Sequence, residues 1–483
     1  MAKTLLPNVS GNYLMNGELK QTQDVKSVIN PAKTDEIVGK VALCTEKDVR
    51  EAVSVADEAY QTWSQTKITD RAERMRKASE TLGEIVEENV SLFVRENGKT
   101  MVEAKKDILR CVEIMHQLAE TSVEWWKPIP LDGHGQNVSI RRRPRGVTAV
   151  ISPWNSPMIL TFKRLIPALL AGNTVVVKPA TNCPLTVLTS LAAIANQFPP
   201  GVINVVTGSG EMVGDLLSSD SRVRAIAFTG GTETGKEIMA RSSSTIKNLY
   251  MELGGNDPAL ILPDAALDDQ EIQKLHGAIL RSAGQVCSAV KRIYVHESRH
   301  DEIVEKLTKS FEKVVVGNGL QPDAMMGPLN NESQYKYVME LLKRTEENGS
   351  KVNTVGVKLD SESWEDGYFV LPSIVTDISH DAELTQAEQF GPVIPIIPYT
   401  DLEDAIRKAN DSPFGLRASV WTSSRENAIS IADRLEAGAV FHNNHTIFNN
   451  LHLDFAGTKE SGMNRETQWG NLDLFADSYG FSN

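Results

Sequence analysis

The sequence predicts an α/β fold built on a parallel, doubly wound sheet. Three observations predict it. From residue 146 onward, short apolar runs alternate with helical patterns, the rhythm of repeated strand–helix–strand units. The chain has 483 residues, enough for cores that need neither a disulfide nor a metal to fold. Apolar residues make up 41% and charged residues 23%, a globular balance that argues against long disorder.

Taken in order, the first 120 residues read mostly as helix. Thr45 can cap a helix whose apolar positions include Val49, Val53, Ala56 and Tyr60, and Asp48 completes a capping box. Residues 70 to about 97 read as a second, longer helix with Leu82, Ile85, Val86 and Phe93 on its apolar positions. Trp125, Trp126, Pro128 and Pro130 break the pattern, and 137–143 reads as a strand with a basic end, solvated or at an interface. The alternation follows. Strands are expected at 147–151, 174–177, 202–206 and 223–228, each followed by a helix, at about 158–171, 184–197, 212–217 and 232–241. A second α/β segment runs from about 259 to 441. Sheets of this kind bind ligands beyond the carboxyl ends of their strands.

Several function classes are excluded. A net charge of −13 opposes phosphate backbones, so no nucleic-acid partner is expected. The N-terminus has no apolar core of a secretory signal, and no run of about 18 apolar residues occurs, so no membrane span is expected. Cys44, Cys111, Cys183 and Cys287 lie far apart without a CxxC pair. Neither a disulfide framework nor a metal site is expected, and the natural setting is a reducing compartment, most simply the cytoplasm. His442, His445 and His452 have no ligand spacing and read as structural.

Two glycine loops invite misreading. Gly208-Ser209-Gly210 with Gly214 follows a strand but is one residue off the dinucleotide fingerprint; it is either a helix-entry turn or a phosphate contact. The stretch from Gly230 to Lys236 matches the first seven positions of a P-loop. The eighth, which must hold Mg²⁺ through a hydroxyl, is Glu237, so an NTPase is rejected. What survives is a glycine-rich loop opening a helix, a ready anion site.

Three segments carry chemistry. Cys287 follows Gly284-Gln285-Val286, near the end of an expected helix and among small residues that could admit a substrate; a thiolate there is a strong nucleophile. Glu252 ends a strand and precedes Gly254-Gly255, where a partly buried carboxylate can serve as general base. Asn155, between Pro153 and Pro157, is stiffly held and could donate to an oxyanion. Together they imply covalent catalysis on a carbonyl, by a hydrolase or a dehydrogenase. No GxSxG elbow supports a serine hydrolase.

These segments, in this order, resemble the aldehyde dehydrogenase superfamily across nearly the whole chain. The resemblance rests on Asn30-Pro31-Ala32, Pro153-Trp154-Asn155, Val177-Lys178-Pro179, Phe228-Thr229-Gly230, Glu252-Leu253-Gly254-Gly255, Gly284-Gln285-Val286-Cys287, Glu388-Gln389-Phe390-Gly391-Pro392, and Ser461-Gly462 before Arg465-Glu466. It implies a Rossmann-like cofactor domain (1–121 and 144–253), an α/β catalytic domain (254–455) and a small β oligomerisation arm (122–143 and 456–483). It further implies a homodimer or homotetramer that oxidises a small aldehyde with NAD or NADP. Cys287 would attack the aldehyde, Asn155 and the Cys287 N–H would hold the oxyanion, and Glu252 would activate water against the resulting thioester. Lys163 and Glu466 match positions that assist proton release. The implied cofactor residues are Ile151, Trp154, Lys178, Ala180, Thr181, Gly210, Gly214, Phe228, Thr229, Gly230, Gly231, Thr232, Leu253, Glu388 and Phe390. Ser156, Leu160, Phe162, Val286, Ser288, Phe448 and Phe455 would line the substrate tunnel, a mixture that suits a neutral aliphatic or aromatic aldehyde.

The sequence departs from the family pattern in places. Gly231 stands where a serine usually reaches the pyrophosphate, Asp454-Phe455-Ala456-Gly457 replaces Pro-Phe-Gly-Gly, and Asn464 replaces a glycine. NAD-preferring members usually carry Glu three residues after the ribose-binding lysine. Here that position is Thr181, so dual use of NAD and NADP is expected, with no neighbouring Arg to clamp a 2′-phosphate. A CoA-acylating enzyme is the main rival, opposed by the presence of Glu252. A silent structural protein is the other, opposed by the retention of both Cys287 and Glu252.

Overall fold

The computed structural model describes residues 6–131, 138–445, 456–464, 469 and 471–482. Its first sheet grows from apolar strands that are buried on both faces. Val147–Ile151 and Thr174–Lys178 are buried at every position, as parallel strands between helix layers must be. Five parallel strands lie in the order Ile203–Val205, Thr174–Lys178, Val147–Ile151, Val223–Thr229, Asn248–Glu252. The first of them in the chain is central, so the strand order reverses between Val147–Ile151 and Val223–Thr229. Ligands bind at such a switch point. The register brings Lys178, Ile151 and Phe228 side by side, with Thr229 beside Glu252.

The second sheet has the order Lys351–Thr354, Ser373–Thr376, Val393–Tyr399, Val290–His296, Asp257–Ile261, Arg417–Trp421, Ala439–His442. Its pairs are parallel except the first. Each large sheet has its own apolar core. A third sheet joins Ile129–Leu131, Val138–Pro144 and Ala476–Ser482. Residues expected with this arm at 458–463 pair elsewhere. Thr458–Lys459 pairs with Phe414–Gly415, and Gly462–Met463 closes the edge of the first sheet beside Glu252.

Two expectations need correction. The N-terminal region is not mostly helix before residue 45. It holds strands Asn12–Met15, Glu18–Gln21, Val25–Asn30 and Lys33–Ala42; the first is short and mostly buried, and the other three are largely exposed and give no apolar alternation to read. The helix expected at 70–97 is two helices, Ile68–Glu84 and Val86–Asn97, parted at Ile85, where φ is −101° and ψ 4°. A 25-residue helix, Met101–Trp125, follows from a Thr100–Glu103 capping box. The helix over Glu46–Trp63 is capped by Thr45 and Asp48 as expected.

Candidate active site

A cleft of about 930 Å³ opens over the carboxyl ends of the five parallel strands. Ile151, Trp154, Lys178, Ala180, Thr181, Gly210, Gly214, Phe228, Thr229, Gly230, Gly231, Leu253, Glu388 and Phe390 line it, with Asn155, Leu160 and Cys287 at the reacting end. The fold thus gathers residues spread over some 240 positions of sequence into one cavity.

Cys287 sits in a loop, not at a helix end. The helix Asp269–Leu280 stops early, and Ser282, Ala283 and Gly284 follow with φ of 50°, 55° and 72°. Left-handed backbone at two non-glycine residues is costly and persists only where the surroundings impose it. At Gly284 a Cβ would run into the Gly391 carbonyl. Gly255 faces the same loop: a Cβ there would collide with the Cys287 carbonyl oxygen, and one at Gly254 would lie 2.8 Å from Glu388 Oε2. The two glycines after Glu252 are therefore what let the cysteine loop and Glu388 close on the strand end.

Cys287 is half-buried, whereas Cys44, Cys111 and Cys183 are buried. Burial pushes the Cys287 thiol up to about 12, and the charges of Glu252, Glu388 and Asp257 push the same way, opposed by Arg417. Asn155 is buried, and its Nδ2 donates to the Gln285 carbonyl at 2.9 Å, tying the Asn155 loop to the cysteine loop. Asn97 Nδ2 holds the Trp154 carbonyl at 2.6 Å from the other side. Glu252 is 3% exposed and accepts a hydrogen bond of 2.7 Å from the Tyr250 hydroxyl.

The cofactor end can be tested for fit. Gly210, Gly214 and Gly231 border the cleft with nothing within 4 Å of where a Cβ would sit. Two helices, Gly210–Ser219 and Thr232–Ser242, begin there. Ser209 caps the first through the Met212 N–H, while the second has no side-chain cap, leaving first-turn N–H groups for an anion. This open, glycine-lined cradle fits a dinucleotide pyrophosphate. Lys236 of the P-loop-like stretch turns to Glu233 and Glu460 instead. Burial draws the Lys178 ammonium down to about 8. Glu388 takes the Gly255 N–H at 3.0 Å. Burial pushes its carboxyl up and pulls the buried Lys291 ammonium down, each charge partly offsetting the other. Phe390, at φ 49°, stands edge-on to Trp154 with ring centres 5.6 Å apart.

Other expected site residues lie apart from the cleft lining. Thr232 opens its helix with a buried hydroxyl that has no partner among the described residues. Phe162 is packed in the core of the first sheet, Val286 and Ser288 are buried, and Ser156 precedes the helix Pro157–Leu170. Lys163 lies on that helix, its carbonyl taking the Asn471 amide at 3.4 Å. Glu466, Phe448, Phe455 and His452 lie outside the described residues. His442 and His445 are hydrogen-bonded to the Thr422 carbonyl and the Ser419 hydroxyl.

The cleft also holds residues that sequence reasoning passed over: Lys26, Asn182, Glu211, Asp215, Gln334 and Arg241. Lys26 comes from the exposed ribbon Val25–Asn30, and only the folded chain brings it near Thr181. Gln334 gave no motif. Its Nε2 donates to the Gln389 and Phe390 carbonyls at 3.0 and 3.1 Å, holding the strained turn.

Comparison with known proteins agrees with this architecture. The model of the aldehyde dehydrogenase family matches residues 19–477. The chain is 33% identical to the alpha-ketoglutaric semialdehyde dehydrogenase of Bacillus subtilis (strain 168) over 458 residues, covering 94% of each chain. It superposes on an E. coli NADP dependent enzyme with a TM-score of 0.93 at 31% identity, covering 98% of both chains. It also superposes on the betaine aldehyde dehydrogenase of Staphylococcus aureus in complex with NAD+, with a TM-score of 0.93 at 29% identity, covering 99% of this chain and 95% of the other. With the fold, the family match and these relatives in agreement, the chain belongs to the aldehyde dehydrogenase family and is an oxidoreductase that acts on aldehydes.

Proposed function

We propose that this enzyme oxidises an aldehyde to a carboxylic acid through a thioester on Cys287, hydrolysed by water that Glu252 activates. The observation that carries this is the half-exposed Cys287 thiol and the tethered Asn155 amide together in the cleft, with the buried Glu252 close enough for its charge to act on the sulfur. A thiol pushed up to about 12 must give up its proton to solvent as the sulfur adds to the aldehyde, which leaves Glu252 unprotonated for the hydrolytic step. The second Asn155 N–H and the Cys287 backbone N–H would hold the oxyanion of the thiohemiacetal. Lys178, the Gly210 and Gly231 cradle and Glu388 would hold a nicotinamide dinucleotide, which would supply the acceptor for the hydride lost as the adduct becomes the thioester. Glu252 then takes a proton from water, hydroxide adds to the thioester carbonyl, and the Cys287 thiolate leaves.

For the substrate, a neutral aliphatic or aromatic aldehyde is the first reading, on the side chains the family pattern assigns to the tunnel. A semialdehyde is the second: Arg417 is a cation whose field reaches Cys287, and the B. subtilis relative is named for such a substrate. Steady-state rates on a panel of both classes decide. The account expects kcat/KM for neutral aldehydes to exceed that for carboxylate-bearing ones, and no turnover in Cys287→Ala. Ordinary turnover in that variant contradicts the mechanism.

For the cofactor, we propose dual use of NAD and NADP. The Thr181 hydroxyl donates to the Gly208 carbonyl at 2.6 Å, so it is not the phosphate donor expected from sequence. The missing repulsive carboxylate still favours a 2′-phosphate, and Lys26, with no ion-pair partner among the described residues, supplies a cation with Lys178. Thr181→Glu should lower kcat/KM for NADP⁺ far more than for NAD⁺. A homo-oligomer is proposed because the arm strand Ala476–Ser482 is, among the described residues, at the edge of its sheet. The four unpaired cysteines suit a reducing compartment such as the cytoplasm.

A further inference from the structure

Behind Glu252 lies a buried chain of polar side chains that the steps above do not use. Tyr250 stands two residues before Glu252 on the strand Asn248–Glu252, so both side chains leave the same face of the sheet. The Tyr250 hydroxyl donates to Glu252 Oε1 at 2.7 Å. Arg164, on the helix Pro157–Leu170, donates from its terminal nitrogen to the same hydroxyl at 2.9 Å, and its guanidinium carbon lies 4.1 Å from the centre of the Tyr250 ring. Arg164 is 2% exposed and Tyr250 3%. A carboxylate and a guanidinium, both out of water, are thus joined through one phenol.

We propose that Tyr250, polarised by Arg164, is a positioning residue that keeps the Glu252 carboxylate ionised and fixes its orientation through Oε1. The physical argument has two parts. A hydrogen bond donated to the charged form of a buried acid favours that form, and a donor that itself accepts from a cation is a stronger one. A carboxylate with one oxygen fixed also has less freedom to lose when the other must be aimed. The charges of Glu252, Glu388 and Asp257 act together on the Cys287 sulfur, opposed by Arg417, and Lys163 lies on the helix that carries Arg164. The cationic support from Arg164 therefore offsets a crowded acidic site.

This inference rests on Glu252 being the general base. The test is the pH profile of kcat, with the pre-steady-state burst of reduced cofactor, in wild type, Tyr250→Phe, Arg164→Lys and Glu252→Gln. Tyr250→Phe keeps the ring in the core and removes only the hydroxyl. Its acid limb is expected to move up by about one pH unit, with turnover below that limb falling up to about tenfold and a burst emerging there as hydrolysis becomes slow. Arg164→Lys keeps the charge, loses the planar stack, and should move the limb the same way by less. An acid limb unmoved in Tyr250→Phe, in a protein that melts like wild type, overturns the inference alone. Unimpaired hydrolysis in Glu252→Gln overturns the base assignment beneath it.

Discussion

Cys287 as it stands is a poor nucleophile, and that fact constrains the residue-scale account. With burial pushing its thiol up to about 12, the thiolate fraction at pH 7 is far below the few per cent of an ordinary cysteine. Alkylation of the free enzyme by iodoacetamide should therefore be slow at pH 7 and rise about tenfold per pH unit up to pH 10, since the group is below its pKa throughout. A plateau near pH 8.5 would show a thiol that burial does not perturb. Asn155→Ala should cost about 10²–10³ in turnover and give no burst, because it removes a donor that acts before hydride loss. The identities of these residues could be read in the sequence from their glycine and proline neighbours. Their partners could not: the Gln285 carbonyl that holds Asn155 and the Tyr250 hydroxyl that holds Glu252 are contacts through space, and the second is a non-local consequence of helix and strand packing.

At the scale of elements, the alternation of buried strands and helices after residue 146 was legible because strands covered on both faces read as continuous apolar runs. The N-terminal ribbons were not, because exposed two-stranded ribbons carry little hydrophobic pattern, and Lys26 went unseen with them. The helix Met101–Trp125 had a readable start in Thr100 and Glu103, and the capping-box rule applied at Thr45 would have found it. The turn between Leu280 and Val290 was invisible for another reason: its left-handed residues include Ser282 and Ala283, which do not announce such a conformation. That turn makes a prediction. Gly255→Ala should push a methyl group against the Cys287 carbonyl, which is backbone and cannot swing aside. A stability loss of about 1–3 kcal/mol by thermal unfolding is expected, with a larger proportional loss of kcat than of cofactor affinity. A variant with full activity would mean that the cysteine loop is not held by this contact.

At the scale of the molecule, the cleft joins two sheets with separate cores. The first supplies strand ends and glycine-lined helix starts, and the second supplies the loop bearing Cys287 and the turn bearing Glu388 and Phe390. The arm sheet stands apart from both. Among the described residues its strand Ala476–Ser482 pairs only with Val138–Pro144, and Tyr479 and Phe481 are exposed on it. Deleting 479–483 should lower the assembly size in light scattering while leaving Leu472 and Phe475 anchored in the main core. An unchanged mass would place the interface elsewhere.

The central claim is the thioester on Cys287, and trapping it tests that claim most directly. Glu252→Gln should be mixed with an aldehyde and oxidised cofactor, quenched in acid within the burst, and weighed intact and after proteolysis. The account predicts a mass gain equal to the acyl group, one per active site, carried by the peptide containing Cys287 and decaying slowly. Reduced cofactor formed without any such adduct, or an adduct on another residue, contradicts it.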